Sequence, residues 1–124
     1  MFVPVLMFAT AAGIAVFWLD WTRKEHTDTW LPDGYVEHER AFMWSDAVAC
    51  VLLVTSSSLT IAGFELGERI GLVTAGMLWF LAVLDTAYFA QNGLFAKSRG
   101  GFGNGLTVCA LFAVAGIIFV EYGL

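Results

Sequence analysis

Asp46 and Asp85 are carboxylic acids set in stretches of sequence otherwise free of charge. If those stretches lie in lipid, each acid is costly to bury, and such groups serve as proton relays, cation sites or paired structural contacts. Projection at about 3.6 residues per turn places Asp46 on a helical stripe with Ala49, Cys50, Leu53, Ser57 and Thr60. Asp85 shares its stripe with Thr74, Leu78, Leu81, Tyr88 and Asn92, which makes Tyr88 and Asn92 its expected hydrogen-bonding partners. Asp20 closes the first apolar run on a face with Ala9, Gly13 and Val16, where small residues favour close helix contact. The three aspartates are expected to converge in one half of the fold and to hold a proton or a cation there. The alternative is structural: Asp20 and Asp46 pair with Arg23, Lys24 or Arg40, and Asp85 hydrogen-bonds to Tyr88 or to another helix.

Other candidate groups are weaker. His26 and His38 stand beside Glu25, Glu37 and Glu39, and imidazole with carboxylate suits several divalent ions. Their separation across a Pro-Gly turn matches no usual ligand spacing, so they remain weak metal candidates and no metal is assigned. Cys50 and Cys109 are unpaired in sequence and read as small packing residues. The hydroxyls of Ser56, Ser57 and Ser58 are expected to bond to helix backbone, their own or a neighbour's. No Lys or Arg lies deep in an apolar run, which removes a Schiff-base lysine and an arginine voltage sensor. No His lies there either, against haem ligation by histidine pairs. The glycine run after Arg99 lacks the Gly-Lys-Ser/Thr of a phosphate loop, and no Gly-x-Ser-x-Gly elbow occurs. Catalytic residues and cofactors therefore stay unknown at this level.

The elements that must position these groups follow from hydropathy. Hydrophobic residues make up 59% of the chain and charged residues 14%, against about 25% charged in soluble domains. Mean hydropathy is +0.76. About 20 mostly apolar residues cross a bilayer, and four such runs occur, at about 1–21, 41–63, 70–96 and 104–121. The expected fold is an all-α integral membrane protein, a single domain over residues 1–124 built as a four-transmembrane-helix bundle running up, down, up, down, with its one sizeable loop at 22–40. The first run lacks the basic residues that precede the apolar core of a signal peptide, so it reads as a retained helix despite Ala9-Thr10-Ala11. The loop should turn at Leu31-Pro32-Asp33-Gly34, with Asp33 capping a helix that starts near Tyr35 and carries Glu37, His38, Glu39 and Arg40 on exposed first turns. Gly63, Gly67, Gly71 and Ala75 recur at helical spacing and mark a tight corner between the second and third spans. The glycine-rich segment 98–105 is expected to be a flexible loop.

Five of the six Lys and Arg residues, Arg23, Lys24, Arg40, Lys97 and Arg99, flank the first and third loops, and Arg69 alone flanks the second. That asymmetry predicts cytoplasmic first and third loops and both termini on the non-cytoplasmic side, with Trp18, Trp21, Trp30 and Trp44 at the cytoplasmic interface. A net charge of -5 without a basic patch gives nucleic acid no purchase. The expected partners are the lipid bilayer and either further copies of the chain or partner membrane subunits, since four helices enclose little beyond their own side chains. The chain does not resemble two families of similar size. Small multidrug exporters place a glutamate in the first span, which here has no acid before Asp20, and fluoride channels break the third span with a threonine- and phenylalanine-rich segment that is missing here. Three functions remain: proton- or cation-linked transport or small-ligand binding, a structural accessory subunit of a larger membrane complex, or a small enzyme acting on a lipid-like substrate. A binding site calls for a polar cavity between helices, an accessory subunit for a packed interior, and an enzyme for a lateral opening beside the carboxylates.

Overall fold

The computed structural model describes residues 1–124 and is entirely helical. Helix α1 spans Phe2–Arg23, α2 Tyr35–Ile61, α3 Glu65–Gln91 and α4 Gly101–Gly123, with a short 3-10 turn at Lys97–Arg99. Each of the four is long and apolar enough to cross a membrane; at ~1.5 Å per residue even α1 reaches roughly 33 Å. The helices form a ring in which each packs on its neighbours in sequence, and α1 meets α4 to close it. That last contact is the slightest of the four.

The tight core fills the half of the ring nearest the termini, where Met7, Leu53, Leu78, Ala115 and Ile118 are buried against one another. Close approach there depends on glycine and serine. A methyl group on Gly67 would collide with Thr60 and the Ser56 carbonyl, and one on Gly71 with Tyr122 and Ser56. Ser56 donates to the Gly67 carbonyl at 2.6 Å, and Ser57 donates to the Pro4 carbonyl of α1 at 3.1 Å. The serine hydroxyls thus join three helices, as small and polar residues do where lipid supplies no hydrophobic force between helices.

At the opposite end, Phe89, Leu94 and Val108 form a second cluster with Trp30 of the first loop against it. Several boundaries depart from the sequence reading. Helix α3 starts at Glu65, because Glu65 and Glu68 sit favourably at the positive end of the helix dipole, and it stops at Gln91 rather than 96. Its end is set by Gly93, whose φ of 66° no helix continues, and by Asn92, whose side chain donates to the Tyr88 carbonyl at 2.9 Å. The first loop contracts to residues 24–34, and Gly34 with φ 76° precedes α2 without a side-chain cap from Asp33. Gly101, Gly103 and Gly105 belong to the first turns of α4 instead of a loop. At Gly101 the chain presses on the Phe95 carbonyl too closely for any side chain. Trp18 and Trp21 point inward and are buried, leaving Trp44 exposed on the outer surface.

Candidate functional site, an acidic cavity between four helices

Between the tight core and the second cluster lies a cavity of about 430 Å³ to which all four helices contribute. Its acidic wall comes from α2 and α3. Glu39, Phe42 and Asp46 follow one another at i, i+3 and i+7 on a single stripe of α2, and Asp85 faces them from α3. Aromatic rings of Phe17, Trp18, Phe42 and Phe89 and the aliphatic side chains of Ile14, Leu111 and Val114 supply most of the remainder. No lysine, arginine or histidine lines it.

The carboxyl groups differ in what holds them. Asp46 accepts a hydrogen bond from the Trp18 indole at 2.7 Å, so α1 fixes one of its oxygens. Glu39 is only 7% exposed, and its Oε1 has no hydrogen-bond partner within the chain. A buried acceptor left in that state costs about 1–3 kcal/mol, more if it is charged, and the side chain that carries it lines the cavity. Asp85 is half-buried and makes no hydrogen bond or ion pair with another side chain. The hydroxyl groups in the wall are already committed: Thr10 donates to the Leu6 carbonyl and Thr107 to the Gly103 carbonyl, both at 2.8 Å. Asn104 spends its amide N–H on the Leu94 carbonyl at 2.7 Å, which leaves its amide oxygen free for a donor.

The cavity opens sideways. Gly13 and Phe17 on α1, and Leu106, Thr107 and Ala110 on α4, line it and are exposed on the outer surface as well. These residues border the seam where α1 and α4 touch least.

Of the residues singled out from sequence, Asp46 and Asp85 come together in this wall and Asp20 does not join them. Asp20 lies on the exposed end of α1 in an ion pair with Lys24 at 2.7 Å, the next turn of the chain. Tyr88 turns from the cavity and stacks on His38 with centroids 3.6 Å apart and planes 11° from parallel, its hydroxyl buried without a partner. Asn92 terminates α3 and touches no carboxylate. His26 stacks on Trp21 at 4.3 Å with Nε2 at 3.1 Å from the Trp21 carbonyl, and no group of three His, Cys, Asp or Glu residues is disposed to hold a metal.

Glu39 is the residue that sequence reasoning passed over. It sat outside a span drawn from residue 41 and was expected on an exposed turn, whereas α2 starts at Tyr35 and Glu39 is buried a helical turn later. The signal was present: Glu39 extends the stripe of Asp46 backward by two turns. Comparison with protein-family models, with curated proteins and with solved structures returns no match, so the chemistry of the cavity stands on its own geometry.

Proposed function

We propose that this chain binds a cation in the acidic cavity and exchanges it against protons, as a component of cation-linked transport or as a small-ligand binding protein. One observation carries the reading: Glu39, Asp46 and Asp85 line a single cavity between helices long and apolar enough to span a membrane, and its wall contains no basic side chain. Uncompensated negative charge confined there would cost several kcal/mol per ion, by order of magnitude. Positive charge must therefore enter with the carboxylates, either as bound protons or as a cation from outside. Replacing one by the other is an exchange.

The test uses the purified protein in lipid nanodiscs in weak buffer. A panel of monocations, sodium, potassium, methylammonium and phenethylammonium, is added while proton release is followed with a pH indicator. At least one should release protons saturably, and the Glu39→Gln, Asp85→Asn double variant should release none. Silence across the whole panel would remove the reading. The lateral opening also suits an enzyme acting on a lipid-like substrate, and a covalent change in an added lipid, seen by mass spectrometry, would favour that alternative.

A further inference from the structure

The cavity joins two features that a site for a bare inorganic ion does not need. Its charged groups occupy the wall between α2 and α3, whereas aromatic and aliphatic side chains line most of the rest, and its mouth opens on the outer surface of the bundle at the α1/α4 seam. At about 430 Å³ it lies within the ordinary range for organic ligands, roughly 300–1,000 Å³. From these features we infer that the ligand is an organic ammonium ion with an apolar body, and that it enters from the lipid between α1 and α4. The inference rests on the cation-binding reading above and adds the substrate class and the route.

Each part of such a ligand has a counterpart in the wall. The ammonium group supplies N–H donors to the carboxyl group of Glu39, a side chain that lines the cavity, is more than nine-tenths buried and makes no hydrogen bond within the chain. Its positive charge meets Asp46 and Asp85, and the rings of Trp18 and Phe42, whose type attracts cations, line the same cavity. The apolar body lies along Ile14, Leu111 and Val114 toward the seam. Amphiphilic ammonium ions collect at the membrane surface with the charge in the headgroups and the body among the acyl chains. The acids belong to the end of the bundle nearest the first and third loops, and the mouth extends from there toward mid-membrane, from Phe17 to Gly13 on α1 and from Leu106 to Ala110 on α4. A ligand moving sideways from lipid therefore keeps its orientation.

The experiment compares three probes on the intact protein in nanodiscs: methylammonium, fluorinated phenethylammonium and the equivalent fluorinated phenethyl alcohol, read by proton release and fluorine NMR. Burial of the aromatic body should make phenethylammonium bind at least about tenfold more tightly than methylammonium. The uncharged alcohol should bind at least about tenfold more weakly than its ammonium counterpart. Gly13→Phe fills the mouth from a position where an added Cβ meets nothing within 4 Å, and it should erase the preference for the aromatic ammonium. Thr107→Phe fills the mouth from the opposite rim and should do the same if Gly13→Phe fails to fold. Asp20→Asn, outside the cavity, should leave all three affinities unchanged. Equal binding of methylammonium and phenethylammonium, or a preference that survives both rim variants, would overturn the ligand class or the route while the acidic cation site stands. Equal binding of alcohol and ammonium would overturn the charge requirement. Absence of binding by every cation would remove the underlying reading as well. Were the mouth instead covered by a second copy, the rim variants would change the oligomeric mass measured by light scattering, and that result too would overturn lateral entry.

Discussion

Trp18 shows how a single side chain can set the character of an acid. Its indole N–H holds Asp46 at 2.7 Å while its ring forms part of the cavity wall. Trp18→Phe keeps most of the bulk and removes the donor. The expected loss of stability is about 1 kcal/mol, given that hydrogen bonds between membrane helices average about 0.6, and thermal unfolding in detergent measures it. Cation binding should weaken several-fold, because a free Asp46 carboxyl no longer keeps its place beside Glu39. Asp20 provides the contrast. Its hydrogen bond to Lys24, and the opposite charge it presents, raise the pKa of that exposed ammonium above its usual value. Asp46 and Asp85 were readable in sequence because a carboxyl group in an uncharged run has few innocuous explanations. For Asp20 the sequence left two readings open, the acidic cluster and a pair with a nearby basic residue such as Lys24, and a helix projection alone does not choose between them. Glu39 was lost to a span boundary, since an acid among Glu37, His38 and Arg40 looks like a solvated turn until the start of α2 is known.

Glycine decides where helices α2 and α3 can touch. Gly67 and Gly76 lie on the same helix, yet an added Cβ at Gly67 meets α2 backbone and at Gly76 meets nothing within 4 Å. Gly67→Ala should therefore separate the two helices and destabilise the protein by about 1–3 kcal/mol, as overpacking does. Gly76→Ala should be neutral or slightly stabilising, because alanine is the better helix former by up to about 1 kcal/mol. Parallel thermal melts in one detergent compare the pair, and equal midpoints would contradict the packing described. The tight corner was readable from the four-residue spacing of Gly63, Gly67 and Gly71. The end of α3 was not: hydropathy continues to Ala96, and only the left-handed Gly93 stops the helix at Gln91. Asp85 consequently lies roughly 9 Å from the end of its helix, shallower than hydropathy alone suggested.

At the scale of the whole chain, four spans return the C-terminus to the side of the N-terminus, and the charge asymmetry of the loops predicts which side that is. Thr27→Cys and Ser98→Cys, each in a background with Cys50 and Cys109 replaced by alanine, put single exposed thiols on the first and third loops. Neither should react with an impermeant maleimide in intact cells, and both should react after permeabilisation. Labelling from outside would reverse the orientation and leave the bundle as it is. The order of the ring has one further effect. The α1/α2, α2/α3 and α3/α4 interfaces are each bridged by a connecting segment, at residues 24–34, 62–64 and 92–100. The α1/α4 seam has no such tether. The covalent connections of the ring thus fall on three of its interfaces, and the exposed lining residues of the cavity border the fourth.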